Sequence, residues 1–234
     1  MHARTSHIHR LGAIEATMFN RRQFVIAASA LGAVAALPRL ARAAAPVAAR
    51  LDDAAKADVA RIVAYLNAIH TMESHIEQVA ADGSDSTGML YVERPGKLRL
   101  QYDPPVPVMI IADGAGIYYW DSKLEQLSET RVEDTPAWFL LRPDIKAVGD
   151  VTVTKFDRQP GVLRMTMVET RHADLGSVTL TLTDNPMQLR QWTIVDAQAR
   201  PVTVTLTDPR FGMAISPLLF QWIDPRLAKG RIPG

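Results

Sequence analysis

Residues that could act as a nucleophile, a general base or a metal ligand are few in this sequence and stand far apart. Beyond the first 43 residues the histidines are His70, His75 and His172, and their separations do not match the spacing of metal ligands. Ser177 and Ser216 lack the Gly-x-Ser-x-Gly turn that presents a catalytic serine. The sequence also contains no phosphate-binding loop and no dinucleotide-binding fingerprint. We therefore predict no catalytic residue, no metal site and no cofactor, and we expect a protein that is not an enzyme.

Composition and charge narrow the function classes further. Cysteine is absent from all 234 residues, which excludes a thiol nucleophile, a disulfide, a thiolate metal site and a lipid anchor on cysteine. With 47% hydrophobic and 22% charged residues, the chain has a globular composition. Six arginines and one acidic residue lie in the first 43 positions, which leaves 20 basic and 24 acidic residues in the remainder. We expect no nucleic-acid partner, because phosphate binding needs clustered Lys and Arg.

The first 43 residues have the pattern of a cleaved export signal. Arg21 and Arg22 precede an uncharged, largely apolar run over residues 25–37, and Ala-Arg-Ala follows at positions 41–43. The run has 13 residues, fewer than the ~20 that span a bilayer. The paired arginines resemble a twin-arginine signal, and Met18 would serve as a start as well as Met1. We predict a signal peptide over residues 1–43 and a single domain over residues 44–234.

The periodicity of apolar residues in the remaining chain predicts one helix followed by a series of short strands. Apolar residues at helical spacing predict an amphipathic helix over residues 52–72, whose opposite, polar side carries Asp52, Asp53, Lys56, Asp58 and Arg61. From residue 73 onward the period changes to two, with turn signals between the segments. About ten or eleven strands are expected, among them 88–92, 97–102, 106–111, 116–120, 123–128 and stretches centred on 165, 180 and 204.

Alternation along these strands predicts a sheet with one apolar face. Aliphatic residues at 178, 180 and 182, for example, alternate with threonines. An apolar block over residues 135–143 begins with Thr-Pro and ends with Pro, which predicts a short helical turn over the sheet or projecting from it. From the residues alone, this surplus of apolar surface fits either an ordinary core or a dry cavity for a long apolar ligand.

One segment carries a family resemblance. Residues 88–102, GMLYVERPGKLRLQY, resemble the G-x-x-x-x-x-R-P-x-x-hydrophobic-R-x-x-Y signature of the LolA-type outer-membrane lipoprotein carriers of Gram-negative bacteria. The Asp-Gly and Tyr-Tyr-Trp-Asp elements of residues 110–121 and the helical block at 135–143 follow in the same order as in that family. Ile76 and Leu98 stand where the family commonly has aromatic residues.

The resemblance implies a mainly β fold, an incomplete antiparallel barrel of about ten or eleven strands. An N-terminal helix and a short helical loop would cover it as lids over an apolar cavity for acyl chains. Arg94 would be a latch that hydrogen-bonds the backbone of the lids. Strand alternation assigns to the cavity wall Leu98, Leu100, Tyr102, Ile110, Met165, Met167, Leu180 and Leu182. The lid residues would be Ile62, Leu66, Trp138, Phe139 and Leu140.

The function that the resemblance implies is that of a periplasmic carrier for lipoproteins. Its partners would be lipoproteins, an inner-membrane lipoprotein-releasing ABC transporter and an outer-membrane acceptor, and we expect a monomer. Because the chain lacks cysteine, a soluble carrier is favoured over a lipid-anchored acceptor. The alternatives are a carrier of a glycolipid or phospholipid, a lipid-sensing regulatory module, and a lipid hydrolase acting through Ser177 or Ser216.

Overall fold

The computed structural model describes residues 45–229 apart from positions 133, 134, 136, 137, 147 and 148. The predicted signal peptide, its cleavage site and the alternative start at Met18 therefore lie outside the described residues. Within the described ranges, none of the helices is long and apolar enough to cross a membrane.

The chain begins with the predicted helix, α1, over Asp53–Ala68. Asp52 caps its start, because the Asp52 carboxylate accepts a hydrogen bond from the Ala55 N–H at 2.8 Å. The prediction that this helix continues to residue 72 is wrong, since the first strand already begins at Thr71. Met72 pairs with Val92 on one side and Phe211 on the other, so sheet pairing overrides the helical pattern there.

Eleven strands form one antiparallel sheet in the described residues, which confirms the predicted fold class. The order is β6-β5-β4-β3-β2-β1-β11-β10-β9-β8-β7, so β6 and β7 are the edge strands and the sheet is not closed. The strands are β1 Thr71–Val79, β2 Asp85–Glu93, β3 Lys97–Tyr102, β4 Val108–Asp113, β5 Ile117–Asp121, β6 Gln126–Thr130, β7 Val151–Gln159, β8 Val162–Glu169, β9 Gly176–Thr183, β10 Gln188–Asp196 and β11 Pro201–Phe211.

Two helices cover one face of this sheet, which we call the inner face. They are α1 and the short α2, Trp138–Leu141, which lies in the predicted helical block. Buried residues of both helices form one hydrophobic cluster with residues from the strands. The core therefore lies between the inner face and these two helices, which we call the lids.

The opposite, outer face carries a cover that the sequence did not predict. The segment over residues 216–229, which we call the C-terminal segment, contains a 3₁₀ turn at Pro217–Phe220 and the helix α3, Pro225–Lys229. The ring of its Trp222 stacks on Tyr118 with centroids 5.3 Å apart, and its Leu219 carbonyl accepts a hydrogen bond from Arg99 at 3.3 Å. Ile111 and Phe220 are buried there but do not belong to the main core cluster.

Candidate functional site

All eight predicted wall residues lie on the inner face. In β8 and β9 the four of them, Met165, Met167, Leu180 and Leu182, are fully buried, and the register places Met165 opposite Leu180. In β3 and β4 the register places Leu100 opposite Ile110, and both pack against the core cluster while partly buried. Leu98 and Tyr102 are buried on the same face. Strand alternation thus predicted the facing of every one of these side chains.

Four of the five predicted lid residues pack onto this wall. Ile62 and Leu66 of α1 and Phe139 and Leu140 of α2 are buried in the core cluster. The Phe139 ring meets the Trp192 ring of β10 edge to face, with centroids 5.8 Å apart. Trp138 is the first residue of α2, and its side chain lies outside what the structure describes.

Arg94 connects both lids to the turn between β2 and β3. Its Nε and Nη2 donate to the main-chain oxygen of Arg142 at 2.8 and 2.6 Å, and Nη2 reaches the Pro143 oxygen at 3.3 Å. Nη1 donates to the oxygen of Leu66 and, at 3.4 Å, to that of Ile69. These carbonyls belong to the C-terminal end of α1 and to the residues just after α2, where a helix leaves acceptors without intrahelical partners.

Electrostatics at this arginine reflect its burial. Desolvation lowers the pKa of the Arg94 guanidinium, and the negative charge of Asp144 opposes that shift. Arginine nevertheless remains protonated at neutral pH, so its five N–H donors are retained. A fork of donors is thus available for several lid carbonyls at once.

Main-chain contacts fix the same turn against α2. The Gly96 N–H donates to the Leu141 oxygen at 2.8 Å, and the Arg94 N–H donates to the His70 oxygen at 2.8 Å. Gly96 has a φ of 81°, and a Cβ added there would lie 3.0 Å from the Gly114 Cα. The turn therefore needs glycine both for its left-handed backbone and for the close approach of the neighbouring turn.

A charge cluster around the buried Asp58 joins α1 to the edge strand β7. Asp58, only 3% exposed, accepts hydrogen bonds from Arg61 at 2.8 Å and from Arg158 of β7. Asp184 accepts from the same two arginines, at 3.1 and 2.8 Å. The helical pattern placed Asp58 on the solvent side of α1, and that prediction is wrong. The partner that buries it lies 100 residues away in sequence, so no local signal could have revealed it.

Two further contacts hold α2 and the residues that follow it. The Asn67 side chain donates to the Ile145 oxygen at 3.0 Å and accepts from the Ile145 N–H at 2.9 Å, which joins α1 to the chain after α2. The side chain of Arg142 donates to Glu169, a buried residue at the end of β8. Sequence reasoning identified none of Asn67, Arg142 and Glu169.

The lids are closed on the inner face. Two pockets in the described part of the chain lie away from the predicted wall residues: one of about 410 Å³ beneath the C-terminal segment and one of about 280 Å³ at the start of α1. The space over the wall is occupied by lid side chains, of which Ile62 is fully buried and Phe139 is 2% exposed. In this conformation the lid side chains therefore pack directly against the residues that the resemblance assigns to the cavity wall.

The residues considered for catalysis or metal binding do not come together. His70, His75 and His172 are all exposed, one after α1, one in β1 and one before β9. Ser177 lies in β9 opposite Val195, whereas Ser216 is exposed before the C-terminal 3₁₀ turn. Among the described residues no group of three or more His, Asp or Glu side chains could hold a metal ion.

Comparison with known families matches most of this sequence to one of them. The family model for the outer membrane lipoprotein carrier protein LolA matches residues 67–222, which run from the end of α1 to the C-terminal segment and include Arg94 and every predicted wall residue. The chain belongs to the LolA family. This family is one of carrier proteins, so the prediction that the chain is not an enzyme is confirmed.

Individual relatives have low sequence identity to this chain. An outer-membrane lipoprotein carrier protein of Pseudomonas syringae pv. syringae is 25% identical over 182 residues, covering 72% of this chain and 85% of the relative. The carrier of the same description in Legionella pneumophila is 27% identical over 169 residues, covering 69% and 83%. Among solved structures, a LolA superfamily protein from Nitrosomonas europaea is similar with a TM-score of 0.41 and 8% identity, covering 70% of this chain and 97% of that one.

Proposed function

We propose that this LolA-family protein shuttles lipoproteins through the periplasm from the inner to the outer membrane, by shielding their acyl chains between the inner face and the lids. The observation that carries the proposal is the hydrogen bonding of Arg94 to both lids over an otherwise apolar wall. Lids that are held by these hydrogen bonds and by apolar packing, for which an acyl chain can substitute, can be displaced without unfolding the sheet beneath them.

The free energy of hydration explains why such a carrier is needed. Burying a methylene stabilises by about 0.8 kcal/mol, so a long acyl chain exposed to water costs on the order of 10 kcal/mol. Transfer from a bilayer to the apolar inner face is nearly neutral by the same reasoning. The direction of transport can then come from modest differences in affinity for the acyl chain among donor, carrier and acceptor.

Arg94 acts as the latch that tunes the carrier's affinity. Its hydrogen bonds stabilise the closed, empty state, and an acyl chain must displace the lids that fill the same space. The latch therefore opposes cargo binding and favours release. Cargo is held strongly enough to leave one membrane and weakly enough to be given to the next partner.

The remaining parts of the proposal concern location and partners. Residues 1–43 direct export as a cleaved signal peptide, with paired arginines suited to the twin-arginine route. A monomer receives its cargo from an inner-membrane lipoprotein-releasing ABC transporter and delivers it to an outer-membrane acceptor. Neither step involves nucleotide or metal bound to the carrier.

The proposal is tested by purifying the exported protein from periplasm and identifying copurified molecules by mass spectrometry. We expect triacylated lipoproteins in one-to-one complexes with the mature chain. Recovery of glycolipids or phospholipids in their place would overturn the lipoprotein assignment and favour a carrier of that lipid. Loss of ester bonds in the bound lipid would instead indicate a hydrolase.

A further inference from the structure

We propose that Glu169 is a head-group site at the rim of the inner face, where it binds the amide N–H groups of a lipidated peptide and disfavours the phosphate of a phospholipid. In the closed state Arg142 occupies this site. The inference rests on the proposed function and deepens it, because it names the feature that distinguishes lipoprotein cargo from anionic phospholipid.

The position of Glu169 is that of a head-group contact. It is the last residue of β8, and it continues the row of buried side chains formed by Leu163, Met165 and Met167 on the inner face. Six residue steps along a strand span ~20 Å, compared with ~15 Å for one leaflet of a ~30 Å hydrocarbon core. An acyl chain lying along β8 would therefore be accommodated with its polar head beside Glu169.

The hydrogen bonding of Glu169 is incomplete. Its side chain is 5% exposed; Oε1 accepts from Arg142, while the buried Oε2 has no hydrogen-bond partner among the described residues. Asp58 differs, because both of its oxygens are bound by arginine. Asp121, which is also buried on the inner face, accepts hydrogen bonds at Oδ1 from two main-chain N–H groups of the turn after β5. A buried acceptor without a partner is costly, so Oε2 is a ready site for a further donor.

Arg142 is placed to leave this site when cargo enters. Its main-chain oxygen is held by Arg94, so release of the latch frees the residue that also supplies the partner of Glu169. Once Arg142 has left, the Glu169 carboxylate lacks its hydrogen-bond donor and can accept hydrogen bonds from a ligand. The amide groups next to the acyl chains of a lipidated peptide supply N–H donors, whereas the head group of an anionic phospholipid such as phosphatidylglycerol carries a negative charge and no N–H donor. Like charges brought together in a desolvated site disfavour binding.

The test measures binding of two ligands with the same acyl chains, a triacylated lipopeptide and phosphatidylglycerol, to the mature protein and its variants. The wild type is expected to prefer the lipopeptide. Glu169→Gln keeps the size of the side chain but removes its charge, and should reduce this preference by about tenfold, largely through tighter phosphatidylglycerol binding. Glu77→Gln, which removes an exposed carboxylate of β1, is the matched control and should leave the preference unchanged.

A second variant keeps the test decisive if Glu169→Gln is poorly folded. Arg142→Gln removes the competing donor while leaving the carboxylate in place, so lipopeptide affinity should rise while phosphatidylglycerol binding remains weak. An unchanged preference in Glu169→Gln, or unchanged lipopeptide affinity in Arg142→Gln, overturns the assignment while leaving the carrier function intact. Failure of the wild type to bind either ligand would instead contradict the proposed function itself.

Discussion

The main-chain oxygen of Arg142 accepts two hydrogen bonds from the Arg94 guanidinium, at 2.8 Å from Nε and 2.6 Å from Nη2. The side chain of the same Arg142 pairs with Glu169 on β8, five strands from β2 in the order of the sheet. A single residue after α2 is therefore held from two distant parts of an open sheet. Breaking either contact should loosen the lids without disturbing the hydrogen bonds between the strands.

Removing the latch should tighten cargo binding and slow its transfer. Arg94→Leu leaves several lid carbonyls without donors in the closed state, which should lower the free energy of unfolding by about 1–3 kcal/mol. Because closure then competes less with cargo, affinity for a triacylated lipopeptide should rise and transfer to acceptor liposomes should slow. Equilibrium binding and a fluorescence transfer assay measure the two effects.

Arg99→Leu is the matched control for the latch. Arg99 lies five positions away in the same sequence motif, but its side chain contacts Leu219 and Gln101 on the outer face. Its replacement should leave affinity and transfer rate close to those of the wild type. Transfer by Arg94→Leu at the wild-type rate would contradict the latch assignment.

The buried carboxylate of α1 should contribute measurably to stability. Asp58→Asn removes the negative charge that faces Arg61 and Arg158. We expect the free energy of unfolding to fall by about 1–3 kcal/mol, below the full value for a buried pair because both arginines are about half exposed. Asp53→Asn, in an exposed pair with Lys56, should change it by less than about 0.5 kcal/mol. Urea unfolding distinguishes the two, and equal effects would contradict a structural role for the Asp58 cluster.

Tyr102 should make the protein sensitive to alkaline pH. Burial raises the pKa of its phenol above the ordinary value of 10.0, against the opposing effect of its hydrogen bond to Gln78. Below pH ~10 the phenol is neutral in both states; above it the unfolded chain ionises first, so stability falls as pH rises toward the native pKa. Tyr102→Phe should lose less stability than the wild type between pH 9 and 11 in urea unfolding. Parallel losses in both proteins would refute this contribution.

Gly96 should be more sensitive to substitution than a glycine of equal backbone conformation. Gly96 and Gly83 have φ values of 81° and 82°, but a Cβ at Gly83 would meet nothing within 4 Å, whereas one at Gly96 would lie 3.0 Å from the Gly114 Cα. Both alanine variants incur the left-handed penalty of about 1–2 kcal/mol. Gly96→Ala should melt at a lower temperature than Gly83→Ala because its neighbour must also move. The reverse order would show that the turn tolerates the extra atom.

Alternation predicted the strands and which of their side chains share one face, because side-chain facing in a strand is a local property. Every wall residue from Leu98 to Leu182 lies on the inner face, and the Arg-Pro motif led to Arg94. Contacts across long sequence separations had no such signal. Asp58 with Arg158 and Asn67 with Ile145 join residues 100 and 78 positions apart. The end of α1 was also misplaced, since pairing of Met72 with two strands decides where the helix stops.

The most direct test of the account is photocrosslinking with a triacylated lipopeptide that carries a diazirine in one acyl chain, followed by mass spectrometry of the labelled peptides. The account predicts labels on inner-face residues such as Met165, Met167 and Leu180, which are buried beneath the lids in the empty protein. Labels confined to the outer face, at Thr166, Thr179 or the pocket beneath the C-terminal segment, would contradict it.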